Sequence, residues 1–247
     1  MTEPATLPTV RSWLPAGELH QRGTVLLFPG RGEHGGVYER LGRRLSADAY
    51  AVHAADSTPG DDLDTLARLV DEVAATSAGP IVLAGSDTGA LQALAVAAAR
   101  SRPPDGVIIA GLAAFGTTPQ SSWTDELEAR TACPTHRQRL TDDIRFVRGS
   151  LSAPPPPALL SAELPLDRIS LPVLLLHGDA DPVTPPATAR SIAARLPAAE
   201  LGIVRGGRHD VLNDLDHRSV AAHVVQWLER LRSGPDRGPA VVVEPLS

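Results

Sequence analysis

The stretch Gly85-Ser86-Asp87-Thr88-Gly89 joins an apolar run to an alanine-rich one. Two glycines spaced this way at a strand-to-helix junction have the outline of a nucleophile elbow, a strained turn that pushes its middle side chain into a site. The middle residue is Asp87, and Ser86 stands one place too early. Moving the frame to Ser86 breaks the spacing to Gly89. A carboxylate has a reference pKa of about 3.9 and is ionised at neutral pH without a base to activate it. It can displace a leaving group from saturated carbon to give an alkyl ester, and a histidine can then activate water against that ester. It can also draw a proton from an acidic carbon, or simply cap the helix that follows. Three other loops concentrate unusual polar residues: PGRGEHGG after Phe28, HGDADPVTP after Leu176, and RGGRHDVLND after Val204.

Short, continuous apolar runs predict the strands that would carry these loops: Thr24 to Phe28, Tyr50 to Ala55, Pro80 to Gly85, Gly106 to Gly111, Pro172 to His177 and Glu200 to Val204. Between them lie helical patterns over Gly35 to Ser46, Asp61 to Ser77, Thr88 to Arg100, Pro185 to Leu196 and Leu215 to Leu231. Strands that alternate with helices and are apolar throughout predict an α/β fold, with a mostly parallel, doubly wound sheet covered on both faces. In such sheets ligands bind beyond the carboxyl ends of the strands, where all four loops fall. The rhythm breaks over 112–170, which reads as a small helical lid insertion with helices near Ser122 to Thr131 and Thr135 to Ser150, then the stiff run Pro154 to Pro157. The expected division is a core of 1–111 and 171–232, the lid of 112–170, and a C-terminal tail of 233–247 whose VVV could add an edge strand.

The 247 residues, 43% hydrophobic and 21% charged, fit a globular protein. A net charge of −6 without basic clusters argues against nucleic acid as a partner. No stretch reaches the roughly 18 apolar residues of a membrane span, and the opening MTEPATLPTVRSW has no secretion-signal pattern, so a cytoplasmic protein is expected. The chain has no lysine, which excludes a Schiff base, and its single cysteine, Cys133, excludes an intrachain disulfide. No cofactor or metal is expected, and the oligomeric state is open. The lid arginines Arg130, Arg137, Arg139, Arg145 and Arg148, with His136, read as a solvated lid face, with a carboxylate-binding pocket as the alternative.

Three segments, LLFPGRGEHGGVYERLGRRL, LLLHGDADPVTP and GGRHDVLND, together resemble the α/β-hydrolase superfamily, in particular its lysophospholipase and monoacylglycerol-lipase branch. The resemblance covers nearly the whole chain apart from the insertion and tail. It implies His209 as base and Asp181 as acid, with Asp179 the competing acid. It also implies an oxyanion hole from the backbone N–H groups of Arg31 and Thr88. His34 and, in the lid, Trp123 are the substrate-contact candidates. Pro29-Gly30 stands where that branch usually has His-Gly, and Asp87 where it has serine. Relatives with an aspartate nucleophile are imperfect matches. Haloalkane dehalogenases follow it with tryptophan, here Thr88, and epoxide hydrolases use lid tyrosines, whereas Tyr38 and Tyr50 both precede the elbow. The expected function is hydrolysis of an ester, lactone or C–X bond of a small or medium organic molecule by an Asp87–His209–Asp181 triad, in bacterial secondary metabolism. One alternative is a lyase or cyclase using Asp87 and His209 as general base, for example in acetate elimination from an acetylated tetronate-like intermediate. The other is a non-catalytic binding protein.

Overall fold

The computed structural model describes residues 6–113, 120–159 and 164–234. Seven strands form one sheet: β1 (Val10–Trp13), β2 (Gly23–Phe28), β3 (Tyr50–Ala55), β4 (Ile81–Asp87), β5 (Gly106–Leu112), β6 (Val173–Gly178) and β7 (Ala199–Val204). Their order is β1-β3-β2-β4-β5-β6-β7, parallel except for β1, which pairs antiparallel with β3. Among the described residues the α-helices are α1 (Glu39–Ala47), α2 (Leu63–Ala75), α3 (Thr88–Ala99), α4 (Trp123–Arg130), α5 (Pro134–Asp142), α6 (Pro186–Ala193) and α7 (His217–Ser233). This is an α/β-hydrolase fold with an inserted helical region.

Side chains of a strand alternate between its two faces, and the central strands show why both faces must be covered. Leu26, Phe28, Leu83, Val107, Ile109, Val173 and Leu175 join the core under α2, α3 and α6. Their neighbours Val25, Leu27, Val82, Ile108, Leu174 and Leu176 join the opposite core, with Leu41 and Leu45 of α1 and Val220, Val224 and Trp227 of α7. Strands buried on both sides read as unbroken apolar runs, which is why they were visible without periodicity.

Two elements differ from expectation. Strand β1 is exposed along most of its length, and its VRSW sequence carries no apolar run, so only its pairing with β3 reveals it. The helix expected over Thr135 to Ser150 ends at Asp142. The Asp143 side chain accepts the Arg145 N–H at 2.9 Å, and its carbonyl accepts from Phe146. Such local side-chain bonding competes with helix continuation. The tail VVV lies outside the described residues.

Glycines let the elbow close. A Cβ on Gly85 would lie 2.1 Å from the Gly89 carbonyl oxygen, and one on Gly89 would lie 2.1 Å from that of Phe28. Strand β4, helix α3 and the end of β2 therefore approach backbone to backbone. Gly89→Ala should force α3 away from β2 and cost on the order of 3 kcal/mol, the upper end of overpacking penalties. Denaturant unfolding checks this, and a loss under about 0.5 kcal/mol, typical of surface changes, would contradict the contact.

Candidate active site

Asp87 ends β4 and begins the turn into α3 with φ 52° and ψ −118°. Among the described non-glycine residues only Ala49 shares a positive φ. Such a conformation costs on the order of 1–3 kcal/mol and persists only where its surroundings impose it. Asp87 occupies the N-cap position of α3 but makes no capping hydrogen bond, so its side chain is not spent on the helix.

Its carboxylate is buried and accepts four hydrogen bonds. Oδ2 receives the Arg31 backbone N–H and the Arg31 Nε–H, each at 2.8 Å. Oδ1 receives Arg31 Nη2–H at 2.8 Å and His209 Nε2 at 3.1 Å. The other ring nitrogen of His209, Nδ1, lies 2.9 Å from Asp181 Oδ2. Four buried groups thus run Arg31, Asp87, His209, Asp181, with charges alternating in sign. Gly111, at φ 49°, makes room for this: a Cβ there would lie 2.1 Å from the His209 carbonyl oxygen.

Burial opposes the Asp87 charge, but the adjacent Arg31 guanidinium and the His209 ring outweigh it and hold the carboxyl well below the usual carboxylate range. Burial likewise opposes a charged His209, yet Asp181 and Asp87 on either side push it up to about 10. Burial opposes the Asp181 anion too, and His209 keeps its pKa low. The ring is therefore an imidazolium at neutral pH, donating from both nitrogens.

The remaining sequence candidates fall around this chain. The Arg31 N–H, expected to hold an oxyanion, donates to Asp87. Thr88 is buried directly after the elbow. Asp179 is exposed and accepts the Gly206 N–H at 2.6 Å, so it shapes the turn while Asp181 meets His209. His34 ties the turn after β2 to the lid, accepting the Gly36 N–H at Nδ1 and pairing through Nε2 with Asp143 at 2.8 Å. Trp123 packs against Phe146, ring centroids 5.6 Å apart, with the Arg148 guanidinium 4.8 Å from its ring.

Sequence reasoning missed the roles of the Arg31 and Arg130 side chains. The lid arginines do not form one solvated face, because Arg130 and His136 are fully buried. Arg130 lies among Glu126, Glu33 and Asp210. The signal for Arg31 was its place between Pro29-Gly30 and Gly32, in the loop facing an aspartate elbow. Arg130 had no signal beyond its charge. Among the described residues one group could hold a metal: Glu33, His136 and Asp210, with ligand atoms within 4.8 Å of one another. The Arg130 guanidinium already supplies positive charge there, 3.5 Å from Asp210 Oδ1 and 4.0 Å from Glu33 Oε1.

Residues 158–216, which include Asp181 and His209, match the family described as serine aminopeptidase, S33. No curated protein matches the sequence. Similar solved structures share the fold along the chain. A monoacylglycerol lipase from Paleococcus ferrophilus is 20% identical with a TM-score of 0.71, covering 92% of this chain and 100% of that one. A soluble variant of the monoglyceride lipase from Saccharomyces cerevisiae, in complex with a substrate analog, is 18% identical with a TM-score of 0.74, covering 92% and 97%. A carboxyl esterase from Bacillus coagulans, in complex with glycerol, is 17% identical with a TM-score of 0.70, covering 91% and 94%. No helix among the described residues is long and apolar enough to cross a membrane.

These matches correct the expectation of a lipase-like branch working through an aspartate at the elbow and of an Asp-His-Asp triad: the matched family is described as a serine aminopeptidase, and the similar structures are named as lipases and an esterase. The geometry supplies a physical reason. A carboxylate has about four acceptor positions, and all four on Asp87 are taken, leaving none for attack. The lyase and cyclase alternative finds no support in these matches, whose names are those of lipases, an esterase and an aminopeptidase family.

Two outcomes follow for stability. Asp87→Asn leaves Arg31 a buried cation without its anion and should cost about 3–5 kcal/mol. Urea unfolding measures it, and a loss below about 1 kcal/mol would show that Arg31 does not depend on the pair. His209 is raised in the fold to about 10 from an unfolded value of about 6.5. Its stabilising contribution is therefore complete below pH 6.5 or so and is lost as pH rises through about 10. Wild-type protein should weaken between pH 7 and 10 more steeply than His209→Asn. Parallel unfolding curves across that window would contradict the assignment.

Proposed function

We propose that this chain is an esterase-type hydrolase of a small organic ester, with His209, oriented by Asp181, as the group that moves the proton. The observation that carries the reading is the buried His209–Asp181 pair, 2.9 Å apart at the carboxyl ends of the strands, beside an elbow residue held at φ 52°. An oriented, deprotonated imidazole can take a proton from an attacking hydroxyl and return it to the leaving alcohol. Among the described residues Nε2 is hydrogen-bonded to Asp87, and no serine hydroxyl is bonded to it. Ser86 instead lies against Tyr38, and Ser150 against the carbonyl of Arg31. We therefore assign the attack to water and assign Asp87 the role of anion for Arg31. Monoacylglycerols, the class for which two of the similar structures are named, and short p-nitrophenyl esters form the first substrate panel.

Because His209 must lose its proton to act, hydrolysis should rise with pH up to about 10. His209→Ala should lose roughly 10²–10⁴-fold in kcat/KM, the usual worth of a positioned base. Asp87→Ser, assayed below its own melting transition, would put a hydroxyl on the elbow above an intact pair and complete a serine-type triad. It should gain an acyl-enzyme burst. It should also move the pH midpoint downward, because only one carboxylate then faces the ring. Equal rates for wild type and His209→Ala across the panel would overturn the reading.

A further inference from the structure

A single lid side chain reaches both loops that build the site. Arg130, at the end of α4, is fully buried and donates from Nη2 to the carbonyl of Arg31 at 2.7 Å. The same nitrogen meets Glu126 Oε1 at 3.0 Å and Ser150 Oγ at 3.1 Å. Its Nη1 lies 3.5 Å from Asp210, the residue after His209. Its guanidinium covers the Phe146 ring at 4.8 Å. The backbone repeats the connection: the N–H of Asp210 donates to the Arg130 carbonyl at 2.8 Å, and that of His209 to the Ala129 carbonyl at 3.3 Å. The last turn of the lid helix therefore holds the base loop by its main chain and the Arg31 turn by its side chain.

The partners of Arg130 serve the same turn. Glu33 accepts the Gly30 N–H at 2.9 Å and the Tyr38 hydroxyl, bracing the residues before Arg31. Burial and the nearby Asp210 charge push Glu33 up to about 7, against the lowering effect of Arg130. His136 pairs with the other oxygen of Asp210 at 3.2 Å. Glu126 accepts from Gly149 and Leu151, the lid segment whose Leu151 carbonyl receives Arg31 Nη1–H. A planar guanidinium with donors in a fixed fork can serve these directions at once, whereas an ammonium on a flexible stem cannot.

We propose that Arg130 is a positioning residue, which sets the relative placement of the Arg31–Asp87 pair and the His209–Asp181 pair from the lid. It acts through the Arg31 carbonyl and the Asp210 loop rather than on substrate. The catalytic part of its test rests on the hydrolase reading above, and the other part does not.

Two variants test it, Arg130→Lys, which keeps the charge, and Arg130→Ala with methylguanidinium added back. In the first measurement the His209 ring is titrated by nitrogen-15 NMR without substrate. Both variants should shift its midpoint toward the free-histidine value by about one unit or more, and methylguanidinium should restore it in Arg130→Ala. In the second, ester hydrolysis by Arg130→Lys should lose on the order of 10²-fold in kcat with little change in KM, as for a misplacement of roughly 1 Å. A folded Arg130→Lys protein with a wild-type His209 titration would overturn the proposal. If Arg130→Ala fails to fold, Arg130→Lys and the milder Glu126→Gln decide by the same titration. If wild type hydrolyses no ester, the hydrolase reading fails while the titration still decides the role of Arg130.

Discussion

The ion pair between Arg31 and Asp87 is the constraint around which this site is arranged. Both groups are almost wholly buried, and either one alone would be an uncompensated charge in a low-dielectric interior. Arg31 meets Asp87 through its backbone N–H and two guanidinium nitrogens. Its remaining nitrogen is fixed by the carbonyls of Leu151 and Ala153 in the lid segment. Asp181, together with the anion so held, raises His209, which in turn keeps Asp181 low. Each member sets the electrostatic environment of the next, so the four residues are coupled.

This arrangement also changes what the elbow does. In a serine-type site the N–H after the glycine turn receives the oxyanion formed during acyl transfer. Here that N–H, on Arg31, donates to Asp87 Oδ2 instead. The frame of strand, strained turn and helix is the one such enzymes use. Its middle residue is an anion seated against its own donor. A reading from residue type alone made Asp87 a reactive group, as nucleophile or general base, since a free carboxylate can be either. The side chain in place is not free, and that difference comes from Arg31, 56 positions earlier in the chain.

Much of the fold was legible because it rests on local signals. Unbroken apolar runs such as TVLLF and PVLLLH marked buried strands, and Leu63, Leu66, Leu69, Val70 and Val73 marked a helix face. Strand β1 escaped because an exposed edge strand needs no apolar pattern. The second lid helix was overextended because Asp143 turns the chain through its own side chain. The loops bearing Asp87, Asp181 and His209 could be ordered by motif, and the structure brings them together. Glu33, Arg130 and Asp210 could not be read together, since their contacts span separations of 80 residues or more and carry no spacing. Charge type gives no clue to burial: Arg130 looked like a surface arginine and is fully buried.

The direct test of Asp87 as a held anion is isotopic. Wild-type protein is taken through many turnovers of a p-nitrophenyl ester in oxygen-18 water at pH 9, and the peptide containing Asp87 is then weighed. Attack by water activated at His209 labels the released acid and leaves the Asp87 carboxylate at natural mass. Oxygen-18 in Asp87 would mean that the carboxylate had attacked the ester to give a mixed anhydride that water opened at the Asp87 carbonyl carbon, and would contradict its role as the fixed partner of Arg31.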